Sequence, residues 1–161
     1  MNTIGRVYTV SFFGHRNIEN VLDILQKLEK LIKKIITEQN FVEFLVGRNG
    51  EFDKIVASSI ISIKKSYRND NSVLVLVLPY VTAEYKNNTE SFEKYFDEIE
   101  ICNESEKVHF KSAIKIRNGH MIDRSDLIIC YVNKKCGGAY QAVRYAMDNG
   151  KDIINIAEIL E

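Results

Sequence analysis

Short apolar runs alternate along the chain with stretches of helical period, and this alternation sets the expected elements. Residues 7–13 read as a first strand. Asn17 then offers a helix cap ahead of Val21, Leu25, Leu28, Ile32 and Ile35, whose spacing of four and three puts them on one buried face, with Lys27, Lys30, Lys33 and Lys34 on others. Residues 41–46 form a second strand, and from Glu51 the positions Phe52, Ile55, Val56, Ser59, Ile60 and Ile63 make a second helical stripe. Residues 73–78 are six apolar residues in a row, closed by Pro79, which suits a parallel strand buried on both faces in the middle of a sheet. Residues 80–97 are polar, aromatic and weakly periodic, and read as a surface excursion with a short helix around 91–96. A short strand at 99–102, a helix at 112–124, a strand at 127–132, a helix at 140–149 closed by Gly150 and a last strand at 153–156 complete the series.

Strands alternating with helices require right-handed crossovers and a parallel sheet covered on both sides. The expected fold is therefore α/β, a Rossmann-like three-layer sandwich with a mostly parallel central sheet, formed by residues 1–161 as a single domain. In such sheets ligands bind beyond the carboxyl ends of the strands. Three unusual loops follow strand ends here: Gly14-His15-Arg16, Gly47-Arg48-Asn49-Gly50 and Asn133-Lys134-Lys135-Cys136-Gly137-Gly138.

Composition narrows the picture. A chain of 161 residues supports one full core, and its single proline and eight glycines leave no linker or low-complexity material. Lys+Arg and Asp+Glu both number 22, so the overall field gives no push toward nucleic acid or an anionic membrane, and an anion site has to be local. Charge segregates along the chain, with Glu90, Glu93, Asp97, Glu98, Glu100 and Glu104 in an acidic stretch and a mostly basic one from Lys107 to Arg124; both read as solvated faces. Met1 to Arg6 lead straight into a strand and no apolar run approaches a secretory or membrane-spanning length, so the expected compartment is the cytosol. Cys102, Cys130 and Cys136 lack metal-site spacing; reduced thiols are expected, the first two packed in the core, and neither a metal nor a cofactor is called for.

Each loop carries a candidate chemistry and a plainer alternative. Gly137-Gly138 opening a helix lets backbone approach an anion that the helix dipole favours, with Lys134 and Lys135 adding charge; the alternative is a tight turn. Arg16 can pair bidentately with phosphate and His15 can donate a hydrogen bond or shuttle a proton, against a capping role for the histidine. Gly47 and Gly50 flank Arg48, while Glu51 and Asp53 lie in the first turn of the next helix, where they either cap it or accept ribose hydroxyls. Arg117 can reach a phosphate from its helix; Asp123, Arg124 and Asp126 precede a strand at the opposite end of the sheet and are expected to form a turn and an ion pair.

Taken together, Phe12-Phe13-Gly14-His15-Arg16, the Val46-Gly47-Arg48-Asn49-Gly50-Glu51-Phe52-Asp53 turn and Arg117-Asn118 with Met121-Ile122-Asp123-Arg124-Ser125-Asp126 resemble the SLOG superfamily over nearly the whole chain. That Rossmann-like group includes the LOG phosphoribohydrolases, Smf/DprA and ligand-sensing domains of defence systems, and the chain is most similar to a compact bacterial branch of it. Against the LOG pattern, Arg117, Met121, Asp126 and Gly137-Gly138 fall in place, but Tyr140 and Gln141 stand where that pattern has Gly and Thr, and Arg144 stands at its catalytic Glu. A guanidinium opposes the cation-like transition state of N-glycoside cleavage.

The resemblance therefore implies a homo-oligomeric sensor or sequestering module for a nucleotide or ADP-ribose-type ligand. Its phosphate contacts would be Arg16, Arg48, Arg117 and the Gly137-Gly138 turn, with Gly14, His15, Gly47, Gly50, Asn118, Lys134 and Tyr140 completing the site. The alternative is an N-glycosidase on nucleoside monophosphates, drawing on Glu51, Asp53 or Arg117. Single-stranded DNA binding, by analogy with Smf/DprA, ranks last because the chain is neutral and lacks a basic stripe interleaved with aromatics, so nucleic acid is not an expected partner.

Overall fold

The computed structural model describes residues 5–102 and 108–159; Met1 to Ile4 and the charges expected of Glu104 and Lys107 lie outside the described residues. Strands β1 (Tyr8–Gly14), β2 (Val42–Val46), β3 (Ser72–Leu78), β4 (Glu98–Ile101), β5 (Leu127–Tyr131) and β6 (Asp152–Asn155) form one sheet in the order β4-β3-β2-β1-β5-β6, every pairing parallel. Helices α1 (Val21–Glu38), α2 (Glu51–Ser66), α3 (Ala83–Asn87), α4 (Thr89–Tyr95), α5 (Phe110–Asp123) and α6 (Gly138–Asp148) supply the crossovers, and a 3-10 turn (Ile156–Glu158) follows the last strand. This is the expected Rossmann-like three-layer architecture.

Alternation of side chains along the strands splits the core into two layers. On one face Val10, Phe12, Phe44, Leu74, Leu76 and Ile129 pack against α1, α2 and α4; on the other Phe13, Leu45, Val75, Val77, Ile128 and Cys130 pack against α5 and α6. Helix α1 buries Ile24, Leu28, Ile32, Ile35 and Ile36. Each such side chain contributes about 2 kcal/mol of burial, against about 1 kcal/mol for a good N-cap. Packing therefore fixes α1, whose N-cap residue Asn20 sits in the left-handed region without a side-chain capping bond. The cap expected at Asn17 lies three positions too early.

The structure corrects two further readings. Strand β3 is buried on both faces but lies next to the edge strand β4, so β1 and β2 occupy the middle of the sheet. Residues 80–97 lie mostly exposed, as expected, but hold two short helices, α3 and α4, where one was expected; Thr82 caps α3 by accepting from the Tyr85 amide, and Phe92 and Phe96 are buried in the core. The aromatics of this stretch, Tyr85, Phe92, Tyr95 and Phe96, could serve self-association only from an exposed surface. With Phe92 and Phe96 facing inward and Tyr85 half-buried against them, Tyr95 alone of the group remains exposed, and they give no ground for a paired state.

The cluster ahead of β5 is structural, as its position implies. Arg124 pairs with Glu100 through two hydrogen bonds of 2.8 and 2.7 Å, and Asp126 accepts from Arg6 at 2.6 Å and from the Thr9 amide at 2.8 Å. Cys102 and Cys130 are buried and Cys136 is exposed, and none of the three is in a disulfide. No helix among the described residues is long and apolar enough to cross a membrane.

Candidate functional site

Connections from β1 through β4 run one way across the sheet, while β5 and β6 lie on the other side of β1. The reversal leaves a crevice beyond the carboxyl ends of β1 and β5, where such sheets hold ligands. A cleft of about 670 Å³ occupies it. Its lining includes Gly14, His15, Arg16, Gly47, Asp53, Arg117, Asn118, Lys134, Gly137 and Gly138 from the residues singled out in the sequence, and Asn17, Asn49, Lys111, Ile114, Cys136 and Gln141 besides. Arg48, Gly50, Glu51 and Tyr140 are not part of that lining.

Arg117 forms the floor. It is 1% exposed; its Nη1 donates to the Val77 carbonyl at 2.7 Å and its Nε to Asn118 Oδ1 at 2.9 Å. Burial pulls its pKa down and the nearby Asp53 charge opposes that pull. Asp53 in turn is held above the usual carboxylate range by burial, moderated by the Asn49 amide that it accepts at 2.8 Å and by Arg117 and Arg48. Arg117 and Asp53 thus form a mutually interacting pair among the residues lining the cleft.

His15 organises the rim. It is 9% exposed, and its Nε2 accepts from the amides of Asn133 at 3.1 Å and Lys134 at 3.2 Å. Two donors on one ring nitrogen require that nitrogen to be unprotonated. Burial first, then the charge of Lys134, lowers the His15 pKa from its ordinary 6.5, which agrees with the neutral ring. The histidine thus ties the loop after β5 to the loop after β1, a positional role beyond the capping expected of it.

The loop after β5 ends at Gly137, whose φ of +92° is a conformation that favours glycine. Helix α6 starts there with no side-chain cap and no acid in its first turn, so the positive end of its dipole borders the cleft uncompensated. A Cβ on Gly138 would meet only open space. The other glycines serve packing. A Cβ on Gly14 would overlap the Phe52 ring, one on Gly50 would overlap the Arg16 backbone, and one on Gly47 would crowd the Arg117 guanidinium at 3.1 Å. Gly50 lets the second loop press against the first, where the Glu51 amide donates to the Arg16 carbonyl at 2.9 Å.

Arg48, expected as a phosphate contact, is committed elsewhere: it makes a two-bond pair with Glu84 (2.9 and 3.1 Å) and lies over the Phe92 ring. Asp53 accepts from the Asn49 amide just ahead of α2, the helix-start role given as its alternative, whereas Glu51 accepts from the Ile18 amide at 3.3 Å and so ties α2 to the loop before α1. Tyr140 is half-exposed, with its hydroxyl 3.4 Å from Arg144 Nη1. Lys111 is the residue the sequence reading passed over. Positions 111, 114, 118 and 121 follow helical spacing, so Lys111, Ile114, Asn118 and Met121 share the stripe of α5 that faces the cleft; following that spacing back from Asn118 through Ile114 reaches it.

No known family model matches the sequence, and neither does any curated protein. Among solved structures, the fold is similar to that of DNA processing protein A from Helicobacter pylori, studied for its single-stranded DNA binding mode, with a TM-score of 0.63 and 17% identity over 91% of this chain and 63% of that one. It is also similar to DNA processing protein A (DprA) from Streptococcus pneumoniae, with a TM-score of 0.62 and 15% identity over 91% of this chain and 49% of that one. The chain spans between about half and two thirds of the length of these neighbours.

A fold shared with a single-stranded DNA binder overturns the expectation of a nucleotide or ADP-ribose-type ligand module, and with it the exclusion of nucleic acid as a partner. That exclusion rested on whole-chain neutrality and on the lack of a basic stripe along the sequence, neither of which reports charges brought together by folding. Of the ionisable side chains lining the cleft, Arg16, Lys111, Arg117 and Lys134 are cations and Asp53 is the carboxylate, so the local charge is positive in a chain of no net charge. The N-glycosidase alternative gains no support either, since Arg144, at the position of the LOG glutamate, is exposed on α6 and is not among the residues lining the cleft.

Proposed function

We propose that the chain is a SLOG-type Rossmann-like module that binds single-stranded nucleic acid, seating backbone phosphates in the cleft beyond β1 and β5. The observation that carries this reading is the concentration of four cations against one carboxylate around that cleft in a chain with no net charge. Arg16, Lys111 and Lys134 stand exposed at the rim, where they contact successive phosphates; Arg117 and the start of α6 supply fixed positive potential beneath. The likeness to the DNA processing proteins supports the same polymer as ligand. The single strand is taken over a duplex because the Helicobacter pylori neighbour is studied for single-stranded DNA binding.

The test is fluorescence anisotropy with a labelled oligothymidylate of about 20 nucleotides. Arg16→Ala, Lys111→Ala and Lys134→Ala should each weaken binding about threefold to tenfold, the scale of losing one phosphate contact. Lys30→Ala, exposed on α1 and outside the cleft lining, should change nothing. Unaltered affinity in all three rim variants contradicts the proposal.

A further inference from the structure

We propose that a groove between α5 and α6 takes one unstacked base of the bound strand, so that the site reads base as well as backbone. This inference rests on the single-stranded nucleic acid reading of the strand-end cleft. The groove has a volume of about 370 Å³ and shares Lys111, Ile114, Asn118, Gly138 and Gln141 with the cleft, so the two spaces are continuous at the start of α6. A nucleotide whose phosphate lies at that helix start carries its base within reach of the groove.

The groove is chemically unlike the cleft. Ile114, Ile122, Ala142 and Tyr145 give it apolar walls, while Asn118 and Gln141 place two amides at the shared mouth. Asn118 Oδ1 already accepts from Arg117 Nε, which fixes its amide and turns the NH₂ group into the available donor. Tyr145 is held by a 2.7 Å hydrogen bond from its hydroxyl to Asp123, so its ring is a fixed surface for a flat heterocycle.

Glycine keeps the space open. Gly119 lies inside α5, where glycine is a poor helix former, yet a Cβ there would meet nothing nearer than the Tyr145 ring at 4.0 Å. Filling the groove from that position therefore leaves the helix intact.

The experiment compares an oligothymidylate with an abasic oligomer of the same backbone, both labelled, at one salt concentration. Wild-type protein should bind the base-bearing strand about tenfold more tightly, the order expected for stacking one base. Gly119→Leu, confirmed folded by its thermal melt, should bind both strands with the abasic affinity, and Gly119→Ala should fall between. Equal affinity of wild-type protein for the two strands overturns the base site while leaving phosphate binding intact. Binding of neither strand overturns the parent reading instead. A Gly119→Leu variant that keeps its base preference but changes sedimentation with concentration assigns the groove to contact between copies, and also overturns the proposal.

Discussion

Arg117 is where sequence, packing and chemistry meet most tightly. A buried guanidinium is tolerated because Val77 and Asn118 accept its protons and Asp53 lies nearby, and removing it strands a buried carbonyl and opens a cavity beneath the rim. Arg117→Ala should lower unfolding free energy by about 3 kcal/mol in equilibrium urea denaturation; a loss under about 1 kcal/mol contradicts the packing described. Gly14→Ala drives a methyl into Phe52, and overpacking of this kind costs about 1–3 kcal/mol. His15 gives a pH dependence of known sign. Its folded pKa is lowered, so its contribution to stability is present above the ordinary 6.5 and is lost as pH falls through the lower folded value. Between about pH 7 and pH 5 the wild-type melting temperature should fall more than that of His15→Gln, whose amide oxygen can accept the same two N–H groups without titrating. Parallel melting curves for the two proteins contradict this role.

Among the elements, those that bury apolar residues in regular period were readable from the sequence, and those fixed by distant partners were not. The runs at β3 and β5 stand within one residue of expectation, and the stripes of α1 and α2 hold over most of their length, though Val21 is exposed and Leu25 half-buried while Ile24 and Ile36 take the buried places; strand alternation and helical spacing are local properties. Helices α3 and α4 were only partly readable. Phe92 and Phe96, four apart, are consistent with one buried helical face, but whether that face meets the sheet or a second molecule depends on α2 and β4, which periodicity does not report. Phe92→Ala should therefore cost about 3–5 kcal/mol of stability, independent of protein concentration. A variant of unchanged stability that dissociates from a dimer returns these aromatics to an interface. Helix α5 was placed two residues late since it has little amphipathic contrast: its inner stripe includes Arg117 as well as Met121 and Ile122. The same irregularity hid Lys111, the rim cation with no motif around it.

Taken whole, the molecule shows that net charge does not report local charge. Twenty-two acids and twenty-two bases cancel in sum, yet the crevice opened by the reversal at β1 gathers cations because the loops after β1 and β5 bring Arg16 and Lys134 to it and α5 brings Lys111 and Arg117. The loops themselves, Gly14 to Arg16, Gly47 to Gly50 and Asn133 to Gly138, were legible as a set; that Arg48 turns away to Glu84 and that the glycines of the first two serve packing was not, since both depend on side chains brought together by folding. The central claim concerns that local field, and salt tests it directly. With Arg16, Lys111 and Lys134 each neutralising one phosphate, the logarithm of the single-strand association constant should fall against the logarithm of salt concentration with a slope of about −2, at about 0.7 per contact. The slope should flatten by about 0.7 in each rim variant, with a duplex of the same length bound more weakly. A slope near zero, or equal affinity for duplex and single strand, contradicts the account.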